Sequence, residues 1–241
     1  MNVGPFLRTT RGKVMATLLV LLSLTALAVA ATFSPIFAAQ DVRIEGIRRL
    51  TDARVRSLSG LEIGTNVFHL NAGRVEETLR ADPWIADATV TRELPDSIVV
   101  TLVERVPVAL TEIDGMSTTL AGDGTPLPGA SPSGLPRLEG WAGDLTPAER
   151  EGTAGALVAL GPALRRAVAS AALNVTGEMS LEMRDGTVVR YGPPTGSVAK
   201  AEALRAVFAW ADDTGTVITV VDVRVPTAPT VRTLDGDETS I

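Results

Sequence analysis

The chain has 241 residues, a formal charge of −6 and no cysteine, so disulfides, thiol nucleophiles and cysteine-based zinc sites are excluded. Its length allows one large domain or two small ones beyond any targeting segment. Aromatic residues make up only 4% and the charge is negative, which argues against binding nucleic acid by stacking on bases or attracting phosphates.

Arg8, Arg11 and Lys13 precede Val14 to Phe33, a run without a single charge. As a helix that run is about 30 Å long, the thickness of a bilayer core. Ala28-Val29-Ala30 fits a small-x-small cleavage pattern, but signal cores hold about 7–15 apolar residues, and this longer run reads as a retained anchor. The next charge is Asp41. The positive-inside bias therefore puts residues 1–13 in the cytoplasm, 14–33 across the membrane and the acidic remainder outside, a single-pass type II topology.

Residues 34–40, SPIFAAQ, read as a linker, and DVRIEGIRRL (41–50) as a strand. Thr51 is placed to cap a short helix that runs through Ser59 and ends at Gly60. A loop pinned by Leu61, Ile63, Val67, Phe68 and Leu70 follows. Asn71 is placed to cap a second helix, stapled by Leu70 and Val75, which stops before Pro83. Trp84 and Ile85 are expected to lock its end to a sheet. ATVTREL and SIVVTLVER then form a hairpin around Pro95-Asp96-Ser97. Ile98, Val100 and Leu102 face one way, and Val99, Thr101 and Val103 the other. Apolar residues on both sides predict a central strand or a second covering layer. The order strand, helix, helix, strand, strand makes a compact α+β unit with two helices on a three-stranded sheet.

In the second half, EIDGMSTTLAGDGTPLPG (112–129) reads as a hairpin and turn, and LPGASPSGLPRLEGW as a connector. Thr146-Pro147-Ala148-Glu149 is a capping box with proline at the first helical position. The helix it opens continues into LVALGPALRRAV, kinked or split at Gly161-Pro162. LNVTGEMSLEMRDGTVVRYG alternates around an Asp185-Gly186 turn, a hairpin signal. Ser197 is read as the cap of a last helix that buries Ala203, Val207 and Trp210, or Leu204 and Phe208. TVITVVDVRVPTAP closes the chain as a strand running into Pro226 and Pro229, and residues 233–241 read as a disordered acidic tail.

Little here suggests chemistry. His69 has no second histidine or cysteine to share a metal. GDGTPLPG lacks the lysine and helix of a phosphate cradle. Asp114, Asp123, Asp144 and Asp185 lie beside glycines, where turn hydrogen bonding accounts for them. The expectation is a protein that is not an enzyme, with no catalytic residue, metal or cofactor.

A lone anchor followed by VRIEGIRRLT, GTNVFHLN and ADPWIADATVTRELPDSIVVTLVERVPVA resembles the cell-division family FtsQ, also called DivIB. The resemblance implies an α+β fold: a single transmembrane helix, a POTRA domain over 41–109 and the family's mixed α/β "β domain" over 110–232. It also implies a non-catalytic bitopic scaffold of the divisome at the division septum, with no small-molecule substrate. Such a scaffold links early and late division proteins, recruits FtsB/FtsL-type partners by β-augmentation and stands beside FtsW/FtsI-like proteins. A POTRA-containing assembly factor of the cell envelope, not dedicated to division, is the alternative.

By that resemblance the partner-binding residues are Val221, Val223, Arg224, Val225, Thr227 and Val231. Arg224 matches the family arginine, a donor suited to a partner carboxylate. Val225 stands where some members have tyrosine, and Pro226 and Pro229 interrupt the edge. The same residues also read as a plain core strand. Glu104, Arg105 and Pro107 read either as a solvated strand end, where an ion pair is worth ~0–1 kcal/mol, or as the device that fixes the angle between domains.

Overall fold

The computed structural model describes residues 10–130, 132–140, 145–236 and 238–240. Arg8, Trp141 and Asp144 lie outside them. Helix α1 (Thr10–Thr32) contains Lys13–Thr32, a stretch of mean hydropathy 2.5 with none of its residues buried. Leu18, Leu19, Leu22, Leu24 and Leu27 are all exposed on it. A helix this long, apolar and exposed on all sides has the length and composition to cross a bilayer. Beyond it the linker is folded rather than loose: Ser34 caps a single 3-10 turn at Pro35–Phe37.

The chain divides into two compact units between Glu104 and Arg105. The expected boundary at Ala109 therefore moves back, because Pro107–Ile113 is a strand of the second unit's sheet.

In the first unit, β1 (Asp41–Glu45), β2 (Ile85–Glu93) and β3 (Ser97–Glu104) form a sheet in the order β1-β3-β2. β3 is central, parallel to β1 and antiparallel to β2. Ile98, Val100 and Leu102 are buried, whereas Thr101 and Val103 on the other face are exposed. Of the two explanations for its apolar faces, the central position is the one seen, and Val103 is exposed.

Helix α2 (Asp52–Ser59) opens where Thr51 Oγ1 accepts the Arg54 amide, and Gly60 closes it in the left-handed conformation. Helix α3 (Ala72–Arg80) opens where Asn71 Oδ1 accepts the Arg74 amide. Helices this short do not persist alone in water, so side-chain bonds tie α3 to its neighbours. Glu76 accepts the Val90 amide at 2.9 Å, and Arg80 reaches Asp87 at 2.8 Å. Asp82, itself buried, accepts the Trp84 amide and the Arg54 guanidinium. Ile85 is fully buried, and Trp84 is half-buried beneath the Arg49 guanidinium at 4.2 Å.

The second unit has a long mixed sheet. Its strands are β4 (Pro107–Ile113), β5 (Met116–Ala121), β6 (Pro126–Leu127), β7 (Arg137–Gly140), β8 (Val168–Leu173), β9 (Met179–Met183), β10 (Val188–Gly192), β11 (Ile218–Asp222), β12 (Thr230–Thr233) and β13 (Glu238–Ser240). Among the described residues they run in the order β13-β12-β11-β10-β9-β8-β7-β4-β5-β6. Two right-sized crossovers build it. Helices α4 (Pro147–Ala159) and α5 (Gly161–Ala167) join the parallel pair β7 and β8, and α6 (Ser197–Thr214) joins the parallel pair β10 and β11. The capping box at Thr146 and Glu149 forms as expected, and the helix splits at Gly161. Met179, Leu181 and Met183 enter the core while Ser180 and Glu182 face out, as one covered sheet face requires.

Five expectations are corrected. The helix stops at Ala167, and Val168, expected to continue it, opens β8, which also takes in residues 169–172 and Leu173; Arg137–Gly140 in the expected connector is β7. Ser197 does not cap α6: the cap is Gly196, and the buried Ser197 hydroxyl has no hydrogen-bond partner. The closing strand ends at Asp222, and the chain turns back to form β12. In the tail, Glu238–Ser240 pairs with β12 as β13, because β12 otherwise leaves a row of backbone donors and acceptors open.

Candidate functional site

The expected binding stretch is not a free edge. β11 is paired on both sides, with β10 through Val188–Arg190 and with β12 through Thr230–Thr233. Val221, Val223 and Val231 are at most 1% exposed and belong to the core, so the core-strand reading holds for these three and the expectation that they meet a partner is corrected. Arg224, Val225 and Thr227 are exposed, but they lie in the turn between β11 and β12, where the Ala228 amide donates to the Val225 carbonyl. Pro226 and Pro229 therefore break the chain's direction rather than interrupt an edge. The outer edge of β12 faces the three residues of β13.

Arg224 is held in place before any partner arrives. Its Nε and Nη2 donate to the Asp222 carboxylate at 2.9 and 2.6 Å, and its own amide donates to Asp222 Oδ1 at 3.0 Å. Burial pushes the Asp222 carboxyl up, but the Arg224 hydrogen bonds and the nearby Arg190 charge outweigh it and hold the group below its ordinary range. The pair raises the Arg224 guanidinium in turn. Arg224 and Arg190 line one recess of about 250 Å³ with Asn174, Glu178, Met179, Ser180 and Gly192. Sequence reading missed Arg190. Its only signal was its outward place in β10, which becomes informative once β10 and β11 are known to be neighbours.

Glu104 and Arg105 are each anchored within their own unit. The Glu104 carboxylate accepts the amides of Arg48, Arg49 and Leu50 at 2.8–3.1 Å, closing the loop after β1. Arg105 Nε donates to Asp123 at 2.7 Å, and Pro107 opens β4. Glu104 is thus a structural acceptor more than half of a surface ion pair. Burial pushes its carboxyl up, and the three amides, helped by the Arg48 charge, bring it below the ordinary 4.5.

A group whose folded pKa is depressed contributes stability above its ordinary pKa and loses it as pH falls through the folded value. The first unit is expected to melt at lower temperature as pH drops below about 4.5. Glu104→Gln should cost about 1–3 kcal/mol at neutral pH, as loss of charge-assisted hydrogen bonds does, and should flatten that pH dependence. Thermal melts of both proteins against pH check it.

Elsewhere the polar groups do structural work. Lys200, buried in the first turn of α6, donates to the Pro193 carbonyl at 2.7 Å and lies 5.0 Å from the Tyr191 ring. Among the described residues no cluster of three or more metal-ligating side chains occurs, and His69 meets Thr32 and Phe33 instead.

An apolar N-terminal helix, a small sheet under two short capped helices and a β-rich second unit define a membrane-anchored POTRA protein. Residues 37–105 match the family model for the POTRA domain, FtsQ-type. The cell division protein FtsQ of Mycobacteroides abscessus is 30% identical over 92% of this chain and 72% of its own length. That of Streptomyces collinus is 32% identical over 79% of this chain and 76% of its own. The chain belongs to the cell division protein FtsQ family. It spans 57% of the Mycobacterium leprae FtsQ, to which it is 28% identical. The extracytoplasmic domain of DivIB from Geobacillus stearothermophilus aligns over 46% of this chain and 96% of its own with 20% identity and a TM-score of 0.36.

Proposed function

We propose that this chain is a non-catalytic scaffold of the divisome, anchored by α1 with its two folded units outside the cytoplasm at the septum. It recruits FtsB/FtsL-type partners, with FtsW/FtsI-like proteins beside them, by strand addition at β12. The observation that carries this reading is the end of the large sheet. Among the described residues, its last core strand, β12, is paired on the outer side by the three-residue strand β13. A pairing so short is readily exchanged for a longer incoming strand, whose backbone supplies affinity and whose side chains supply specificity. Arg224, exposed in the turn between β11 and β12, offers a guanidinium to a partner carboxylate.

The test is titration of the full-length chain in nanodiscs with the extracytoplasmic segment of an FtsB-type partner. Arg224→Glu sets a second carboxylate against Asp222 and is expected to weaken binding by at least ~10-fold, or ~1.4 kcal/mol. Removal of residues 236–241 uncovers β12 and is expected to strengthen binding. Unchanged affinity in both variants, with unchanged circular dichroism, overturns the reading. In cells, a fluorescent fusion is expected at the septum and depletion is expected to arrest division.

A further inference from the structure

The helix that leaves the membrane does not swing free of the first unit. The Asn66 side-chain amide donates to the Thr32 carbonyl at 3.0 Å, filling one of the open acceptors at the end of α1. Thr32 Oγ1 and His69 Nε2 share a hydrogen bond of 2.8 Å, and the His69 amide donates to Asn66 Oδ1. Three backbone bonds fasten the same loop to the segment after the helix: Ala39 to Thr65, Gly64 to Ala39, and Val67 to Phe37.

This clasp assembles a continuous row of rings. Phe33 stacks on His69 at 4.2 Å, His69 meets the edge of Phe68 at 5.5 Å, and Phe68 meets Phe37 at 5.4 Å. Three of the chain's five phenylalanines are in it. Despite these contacts the row stays open to its surroundings: Phe33 is 65% exposed and Phe68 43%, and Ile36 beside them is 64% exposed. Beside them Arg92 donates to the Phe68 carbonyl at 3.3 Å, so a cation borders the apolar row.

We propose that this row rests in the lipid surface where α1 emerges, with the rings at the boundary of acyl chains and headgroups and Arg92 near lipid phosphate. The occupant follows from continuity. Phe33 directly follows the apolar span Lys13–Thr32, and Phe68 shares the His69 imidazole with it. A surface that lipid already covers along α1 therefore runs onto the 64–69 loop without a break. Exposed phenylalanines beside a basic side chain bury at the boundary of headgroups and acyl chains, as on helices that lie in a membrane surface. Resting there fixes how the POTRA unit stands on the bilayer, a role separate from strand addition at the far end of the chain. The proposal depends on α1 spanning the membrane, and the experiment separates the two.

The chain lacks cysteine, so single nitroxide labels can be attached cleanly to Leu22→Cys, Ile36→Cys, Phe68→Cys and Val103→Cys. Each full-length variant is reconstituted in phosphatidylcholine–phosphatidylglycerol nanodiscs with no other protein. The measurement is accessibility to oxygen, which partitions into lipid, against a nickel chelate, which stays in water. The labels at 36 and 68 are expected to show a several-fold higher oxygen-to-nickel ratio than the label at 103, an exposed apolar site on the open sheet face of the same unit. If labels 36 and 68 match 103 while label 22 is immersed, lipid contact is overturned and the anchor stands. If label 22 is itself aqueous, both fall. Protection of 36 and 68 that arises only after a division partner is added assigns the row to protein and overturns the proposal. Circular dichroism checks each fold, and Ile36, outside the loop, carries the test should a label at 68 disturb it.

Discussion

Val100→Asp is expected to unfold the POTRA unit at room temperature while the second unit keeps its own melting transition. Val100 is 1% exposed at the centre of β3, flanked across the sheet by Ile44 of β1 and Val90 of β2. Losing its burial costs about 1.5–3 kcal/mol, and a carboxylate in that position adds several more because nothing nearby donates to it. The sum, about 5 kcal/mol or more, matches the entire stability expected of so small a unit. Thr101→Asp, one residue away on the exposed face, is the control and is expected to cost only about 1 kcal/mol, because aspartate suits a strand poorly and faces Glu45 across the sheet. Burial raises the pKa of the introduced carboxyl, so acid should partly restore the variant. A first transition unchanged from the wild type in calorimetry would refute the packing described for β3.

Gly46→Ala is expected to be nearly as damaging for a different reason. Gly46 follows the last residue of β1 at φ +82, and a Cβ there would lie 2.0 Å from the backbone carbonyl oxygen of Leu102. The obstacle is the middle strand's own backbone, which moves only by breaking its pairing with β1 or β2. Left-handed strain of about 1–2 kcal/mol adds to the cost of that displacement, for a total of about 3 kcal/mol or more. Gly60→Ala provides the comparison, because at φ +65 a Cβ would meet nothing within 4 Å. It should cost only about 1 kcal/mol. Equal melting temperatures for the two variants would show that conformation alone, and not the approach of β1 to β3, sets the requirement for glycine.

The parts of the fold legible in the sequence were those whose hydrogen bonds close over a few residues. Thr51, Asn71 and the Thr146–Glu149 box cap helices as their spacing predicts, since donor and acceptor lie within one turn. The hairpins around Asp96 and Asp185 pair as expected for the same reason. β8 was not legible because VASAAL follows a helix without turn residues, and its small side chains suit either state until β7 and β9 lie on both sides. Ser197 deceived because a serine before a helical pattern is a cap signal, yet Gly196 adopts the capping position and the hydroxyl is turned inward.

At the candidate site the divide is sharper. The resemblance picked out Arg224, and the structure gives it a partner in Asp222 that local reading could have found two residues away. It could not have found Arg190, which approaches Asp222 only because α6 carries the chain over to lay β11 beside β10. Nor could it have found that Glu104 binds amides more than fifty positions earlier.

By itself, the sequence determined the apolar span, the family, the caps and the turns, because each is written in neighbouring residues or in a run of uniform chemistry. Tertiary structure alone decided the strand order of the large sheet, that Glu238–Ser240 pairs with β12, and that Phe68 and Phe33 meet through His69 at the end of α1. A strand's edge and a ring's neighbour depend on what folds back from far along the chain, and the hydrogen bonds that settle them belong to no local pattern.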